Sequence, residues 1–229
     1  MTPILIVHIS AGAIAIACGA AALTVRKGAR PHRLFGALFV VAILTMAATA
    51  TYMAVAIPPR PGAAFVTPPK AMVSVAILAS YLTATAWMTV RRRSSGVGGL
   101  DYAAMLVASG VAVAMLVFGL QAAGGPAGTI VTPYFVFAAF AALPAGLDMT
   151  VILRRGLSGP QRIARHVWRM CLALIFATAF FFIFQQKVMP TAWRGAPMLY
   201  APTLAVLAAM IFWLIRIWFT KAFRPATPA

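Results

Sequence analysis

Seven apolar blocks, each close to the thickness of a bilayer, leave this chain few folds to choose from. A hydrocarbon core takes roughly 20 helical residues to cross. The blocks run over 4–25, 34–57, 71–90, 102–123, 131–153, 163–188 and 199–220. In lipid each backbone N–H and C=O must be satisfied within the segment, so every block is expected to be an α-helix. The breaks between blocks carry cations, proline and glycine: Arg26-Lys27-Gly28-Ala29-Arg30-Pro31, Pro58-Pro59-Arg60-Pro61-Gly62, Arg91-Arg92-Arg93-Ser94-Ser95-Gly96, Gly124-Gly125-Pro126 and Arg154-Arg155-Gly156. Composition agrees, with 63% hydrophobic and only 9% charged residues. A soluble core of this size has no room for so much apolar surface. The expected fold is all-α, a single seven-helix transmembrane domain over residues 1–229.

Cations divide unevenly between alternate loops. One side carries fifteen: Arg26, Lys27, Arg30, Arg33, Arg91, Arg92, Arg93, Arg154, Arg155, Arg162, Arg165, Arg169, Arg216, Lys221 and Arg224. The other carries four: Arg60, Lys70, Lys187 and Arg194. By the positive-inside rule the N-terminus faces out and the C-terminus faces the cytoplasm. The formal charge of +17 is therefore a topology signal. It implies contact with anionic lipid headgroups rather than nucleic acid.

The two basic-glycine turns at 26–28 and 154–156 are each followed by a histidine, His32 and His166, at the start of the next span. This pattern suggests a 3+1+3 arrangement, with repeats over 1–93 and 131–224 linked by the helix 101–123. Paired histidines at equivalent positions would suit the two axial sites of a haem b iron, with Arg30, Arg33, Arg162 or Arg165 near its propionates.

Few other residues could carry chemistry. Asp101 and Asp148 are the only acids, which excludes dinuclear carboxylate sites and paired-carboxylate hydrolysis. Cys18 and Cys171 lie within apolar blocks and imply no disulfide framework. No zinc set, phosphate-binding glycine loop or Ser-His-Asp arrangement assembles, so the reading leans away from an enzyme. The first block lacks an upstream cation and reads as a retained span rather than a signal peptide.

Intramembrane ionisable residues face the bundle interior. Asp148 lies six residues before Arg154, roughly 9 Å below the boundary at 1.5 Å per residue. It shares a small-residue face with Ala141, Pro144 and Ala145. An Asp148–Arg169 ion pair would make both charges tolerable, as a structural lock or as a proton-handling site. Arg162, Arg165, His166 and Arg169 form a basic stripe at the start of the sixth span, with Ser158 as N-cap. The stripe would bind an anion or snorkel to lipid phosphates. On the outer side, His8, Gln185 and Gln186 would line a polar pocket, or His8 would be a buried histidine held by one hydrogen bond. The second and third spans show few polar residues at mid-bilayer.

The run Arg162-x-x-Arg165-His166-x-Trp168-Arg169-Met170-Cys171, followed by Phe181-Phe182 and Gln185-Gln186, resembles a signature of an uncharacterised bacterial inner-membrane family. His8-x-x-x-Gly12, Gly19 and Lys27-Gly28 through His32-Arg33-x-x-Gly36 are similar to that family's first hairpin. Where the family often has Ser-Phe-Phe, this chain has Ala179-Phe180-Phe181-Phe182. The resemblance implies a multi-pass protein of the bacterial inner membrane and supplies no activity. Three functional classes follow from the residues. The first is a small-molecule binding or transport module using His8, Asp148, Arg162, Arg165, His166, Arg169, Gln185 and Gln186. The second is a haem-binding redox protein using His32 and His166. The third is a structural or assembly partner of a membrane complex.

Overall fold

The structure, a computed structural model, describes residues 2–57, 69–92, 96–125, 130–157, 159–186 and 189–219, without the side chains of 69 and 70. The described residues form seven α-helices: α1 (Pro3–Thr24), α2 (Arg30–Ala56), α3 (Pro69–Arg91), α4 (Gly99–Ala123), α5 (Thr132–Leu153), α6 (Gly159–Thr178) and α7 (Ala201–Phe219). A π-helical turn, Ala179–Phe184, continues α6. Each of the seven spans is long and apolar enough to cross a membrane, so the chain is a multi-pass membrane protein.

Local chemistry sets the helix ends. Pro3 and Pro133 occupy first-turn positions of α1 and α5, where the missing N–H costs nothing. The Lys27 ammonium caps the last turn of α1, donating to the carbonyls of Ala22, Leu23 and Val25. Both basic turns adopt the left-handed backbone that ends a helix, with φ +76° at Gly28, 57° at Arg155 and 146° at Gly156. Helix α6 starts at Gly159 rather than 163 and α2 at Arg30 rather than 34. Hydropathy finds only the apolar part of a helix, whereas arginine-rich first turns are helical as well. Gln185 and Gln186 fall beyond the helical turn that ends at Phe184. Ser158 lies outside the described residues, as do Arg60, Arg93, Lys187, Lys221, Arg224 and the side chain of Lys70.

The chain forms two compact units, and α2 and α3 contribute to both. The first comprises Met1–Met46, Leu82–Arg92 and Ser158–Ala229; the second comprises Ala47–Tyr81 and Arg93–Leu157. In the first unit α6 packs against α1 and α7. Gly19 lets α1 approach closely: a Cβ there would lie 2.7 Å from Leu174 Cδ1 and 3.2 Å from Phe39 Cδ2. Thr203 donates to Thr178 Oγ1 across α6 and α7 at 3.2 Å.

The second unit is built on the α4–α5 hairpin. Ala108, Val111, Met115 and Gly119 are buried on α4, as are Tyr134, Phe137, Ala141, Pro144, Ala145 and Asp148 on α5. These residues recur at helical spacing, so each helix has one packed stripe. Leu106, Val113 and Leu120, seven residues apart, are exposed on α4 and suited to lipid. Gly119 matches the bulk of Tyr134 and Phe135, which stand 3.1 Å from where its Cβ would be. Asp101 Oδ2 accepts the Gly98 N–H at 2.9 Å, a capping use of the carboxylate at the start of α4.

The expectation of few polar groups in the third span is corrected. Ser74, Thr83, Thr85 and Thr89 of α3 are all buried, and so is Tyr81. Ser74, Tyr81, Thr85 and Thr89 follow one another at spacings of 7, 4 and 4 residues, one face of a helix. Hydropathy scores hydroxyl residues near neutral, and that hides such a face.

Candidate functional site

Two histidines converge in the first unit. His32 stands in the first turn of α2, where Pro31 presets the helical backbone. Its Nδ1 lies 3.1 Å from the Ala22 carbonyl oxygen. His166, on α6, has its Nδ1 3.1 Å from the Ala86 carbonyl oxygen of α3. A carbonyl only accepts, so Nδ1 is the donor in both rings and the lone pair of each neutral imidazole is on Nε2. Such a backbone anchor commonly orients a metal-binding histidine. The ring centres are 6.5 Å apart and the planes cross at 76°.

Both rings line a cavity of about 1060 Å³ whose walls come entirely from the first unit. Phe39 and Leu174, both buried, form part of its apolar wall, and Trp87, Met170 and Trp213 add to it. Gly36 follows His32 by one helical turn on the same wall, and a Cβ there would meet nothing within 4 Å. Three cations line the cavity as well: Lys27, Arg33 and Arg91. Lys27 lies over the Trp213 ring at 4.9 Å and Arg91 over Trp87 at 4.8 Å. Arg33 donates to the Gly28 carbonyl at 3.0 Å. Burial lowers the Lys27 pKa from the ordinary lysine value.

The basic stripe of α6 is divided among separate tasks. Only His166 of the four residues lines the cavity. Arg162 donates to the carbonyls of Thr89 and Arg92, at the C-terminal end of α3. Arg169, fully buried, donates to Thr85 Oγ1, and its guanidinium lies 5.0 Å from the Trp168 ring. Arg165 is buried too. A stripe drawn as one anion-binding surface thus becomes one clamp, two buried cations and one cavity imidazole. The anchors that divide it are tertiary partners on α3.

The remaining expected residues lie elsewhere. His8 Nδ1 is 3.1 Å from the Met46 carbonyl oxygen. Gln186 Oε1 accepts the Gly195 N–H at 2.7 Å, and Gln185 is exposed. Neither glutamine lines the cavity, and His8 does not either. In the second unit, the buried Asp148 carboxylate accepts a hydrogen bond from the Tyr81 hydroxyl. Arg169 belongs to the first unit. Sequence reasoning missed Lys27, Gly36, Trp87, Arg91 and Trp213 as cavity residues. Lys27 and Arg91 were counted for topology, whereas Arg33 was already expected near the propionates of a haem.

Fold and cavity together define a multi-pass, all-helical membrane protein with a two-histidine cavity. Residues 5–98 match a family described as predicted membrane protein (DUF2306). The match takes in the hairpin from His8 to Gly36 and bears out the resemblance to an uncharacterised membrane family over that stretch; the Arg165–Cys171 run lies beyond it. No curated protein and no solved structure matches the chain.

Proposed function

We propose that the first unit binds haem b between His32 and His166 and that the protein is a membrane redox carrier. The spacing of the two anchored imidazoles carries this reading. A metal ion bonded to an imidazole nitrogen at about 2 Å sits about 3 Å from the ring centre, so two axial rings have centres about 6 Å apart. The separation of 6.5 Å supports two-histidine ligation. The Nδ1 hydrogen bonds leave Nε2 of each ring for the iron. The open space beside Gly36 supports the approach of a flat macrocycle one turn from His32. When bound, the haem supplies one-electron chemistry, and the protein's part is to hold it, orient it and keep water from its apolar faces. This reading takes up the second of the three classes read from the sequence, the haem-binding redox protein using His32 and His166, in place of the binding or transport module. Arg26, Arg30 and Arg154, exposed at helix ends, support contact with anionic lipid headgroups.

The full chain, expressed with ample haem supply and purified in detergent, provides the test. A Soret band and sharp α-bands on dithionite reduction are expected. Both should be lost in His32→Ala and in His166→Ala, with helix content retained by circular dichroism. A featureless wild-type spectrum, or bands that survive both substitutions, would overturn the proposal.

A further inference from the structure

Resting on that haem reading, we infer that the cavity selects a tetrapyrrole with free carboxylates, held at its mouth by Lys27, Arg33 and Arg91. The argument begins with charge. Three cations line one cavity, and neither of the chain's two acids, Asp101 and Asp148, is among the residues that line it. Among the described residues the partners of these cations are neutral. Lys27 has backbone carbonyls and the Trp213 ring, Arg33 the Gly28 carbonyl, and Arg91 the Trp87 ring. Carbonyls and ring faces orient a cation without cancelling its charge. Three like charges around one opening repel each other across a poorly screened boundary. A ligand bringing two carboxylates relieves that repulsion and gains charge-assisted hydrogen bonds.

The gradient of exposure sets the ligand's direction. Arg33 and Arg91 are exposed and Lys27 is half-buried, whereas Phe39 and Leu174 on the same cavity are only 3% exposed. Carboxylates belong at the wet, cationic end, and the opposite edge of the ring, with its vinyl and methyl groups, belongs against the apolar wall. The two imidazoles occupy the same cavity as the cations, so one ligand can meet both. Arg162, by contrast, is committed to the end of α3. Of the four arginines expected from sequence near the propionates, Arg33 lines this cavity and Arg30, Arg162 and Arg165 do not; Lys27 and Arg91 join Arg33 there.

Apoprotein from haem-limited cells, purified as the full chain in detergent, should be titrated with haemin and with haemin dimethyl ester. The two share ring, iron and axial chemistry and differ in charge. The wild type is expected to bind the diacid at least about tenfold more tightly. In the Arg33→Gln/Arg91→Gln double variant the ratio should fall toward one, while the low-spin bis-imidazole spectrum persists. Both positions are exposed, and a thermal melt checks that the variant folds. A wild-type ratio near one, with the spectrum present, overturns this inference and leaves the haem reading standing. A double variant that keeps the wild-type ratio shows that the cations are wrongly assigned. No Soret shift with either porphyrin removes the haem reading, and this inference with it.

Discussion

All three histidines of the chain donate, or are placed to donate, Nδ1–H to a carbonyl of a neighbouring helix: His8 to Met46, His32 to Ala22 and His166 to Ala86. What separates the pair from His8 is therefore not tautomer but surroundings, since only His32 and His166 share a cavity. Gly36 sharpens the point. A glycine inside a helix costs about 1 kcal/mol relative to alanine, and nothing within 4 Å fills the space its missing Cβ leaves. Packing within the protein gives no reason to keep it bare. Gly36→Ala should stabilise the apoprotein by up to that amount in a thermal melt. Gly36→Leu should fold and yet lose most of its haem uptake, read from the Soret absorbance per chain. Uptake equal to wild type in the leucine variant would show that no ligand plane lies there. Asp148 teaches the reverse lesson: a buried intramembrane acid already has the Tyr81 hydroxyl as partner, so its presence alone does not mark a site.

Helix α6 shows how one amphipathic stretch divides its labour. Spacing of three and four residues put Arg162, Arg165, His166 and Arg169 on one side, and that much was legible in the sequence. Their separate partners were not, because Thr85, Ala86 and Thr89 stand on α3 and Arg92 just past its end, far off in the chain. The carbonyls that end α3 have no intrahelical N–H to accept from, and Arg162 supplies two of them. Arg162→Met should therefore destabilise the fold by about 1–3 kcal/mol, the usual cost of leaving such groups unsatisfied. Thermal melts in detergent would read the loss, and Arg162→Lys should recover part of it. A methionine variant as stable as wild type would reduce the clamp to a surface contact. The hydroxyl face of α3 was visible in principle as the 7, 4, 4 spacing of Ser74, Tyr81, Thr85 and Thr89. A hydropathy average discards that periodicity.

For the whole molecule the charge count makes a directional prediction. Cysteines introduced at Thr2 and Arg26, the two ends of α1, should behave oppositely in intact cells. A membrane-impermeant maleimide should label Thr2→Cys directly and Arg26→Cys only after permeabilisation. The native Cys18 and Cys171 are buried and contribute little background. Labelling of Arg26→Cys alone from outside would reverse the assigned topology. The number of helices, their approximate ends and the unequal loops are properties of short stretches. Bilayer thickness and the need to satisfy every backbone group act on each stretch by itself, so the sequence alone determined them. Which helices form a unit, and that His32 and His166 share one cavity with Gly36 and three cations, are not properties of any stretch. They depend on contacts such as Gly19 against Leu174 and on hydrogen bonds between distant helices. In lipid no hydrophobic gradient directs such pairings, and only the tertiary structure decided them.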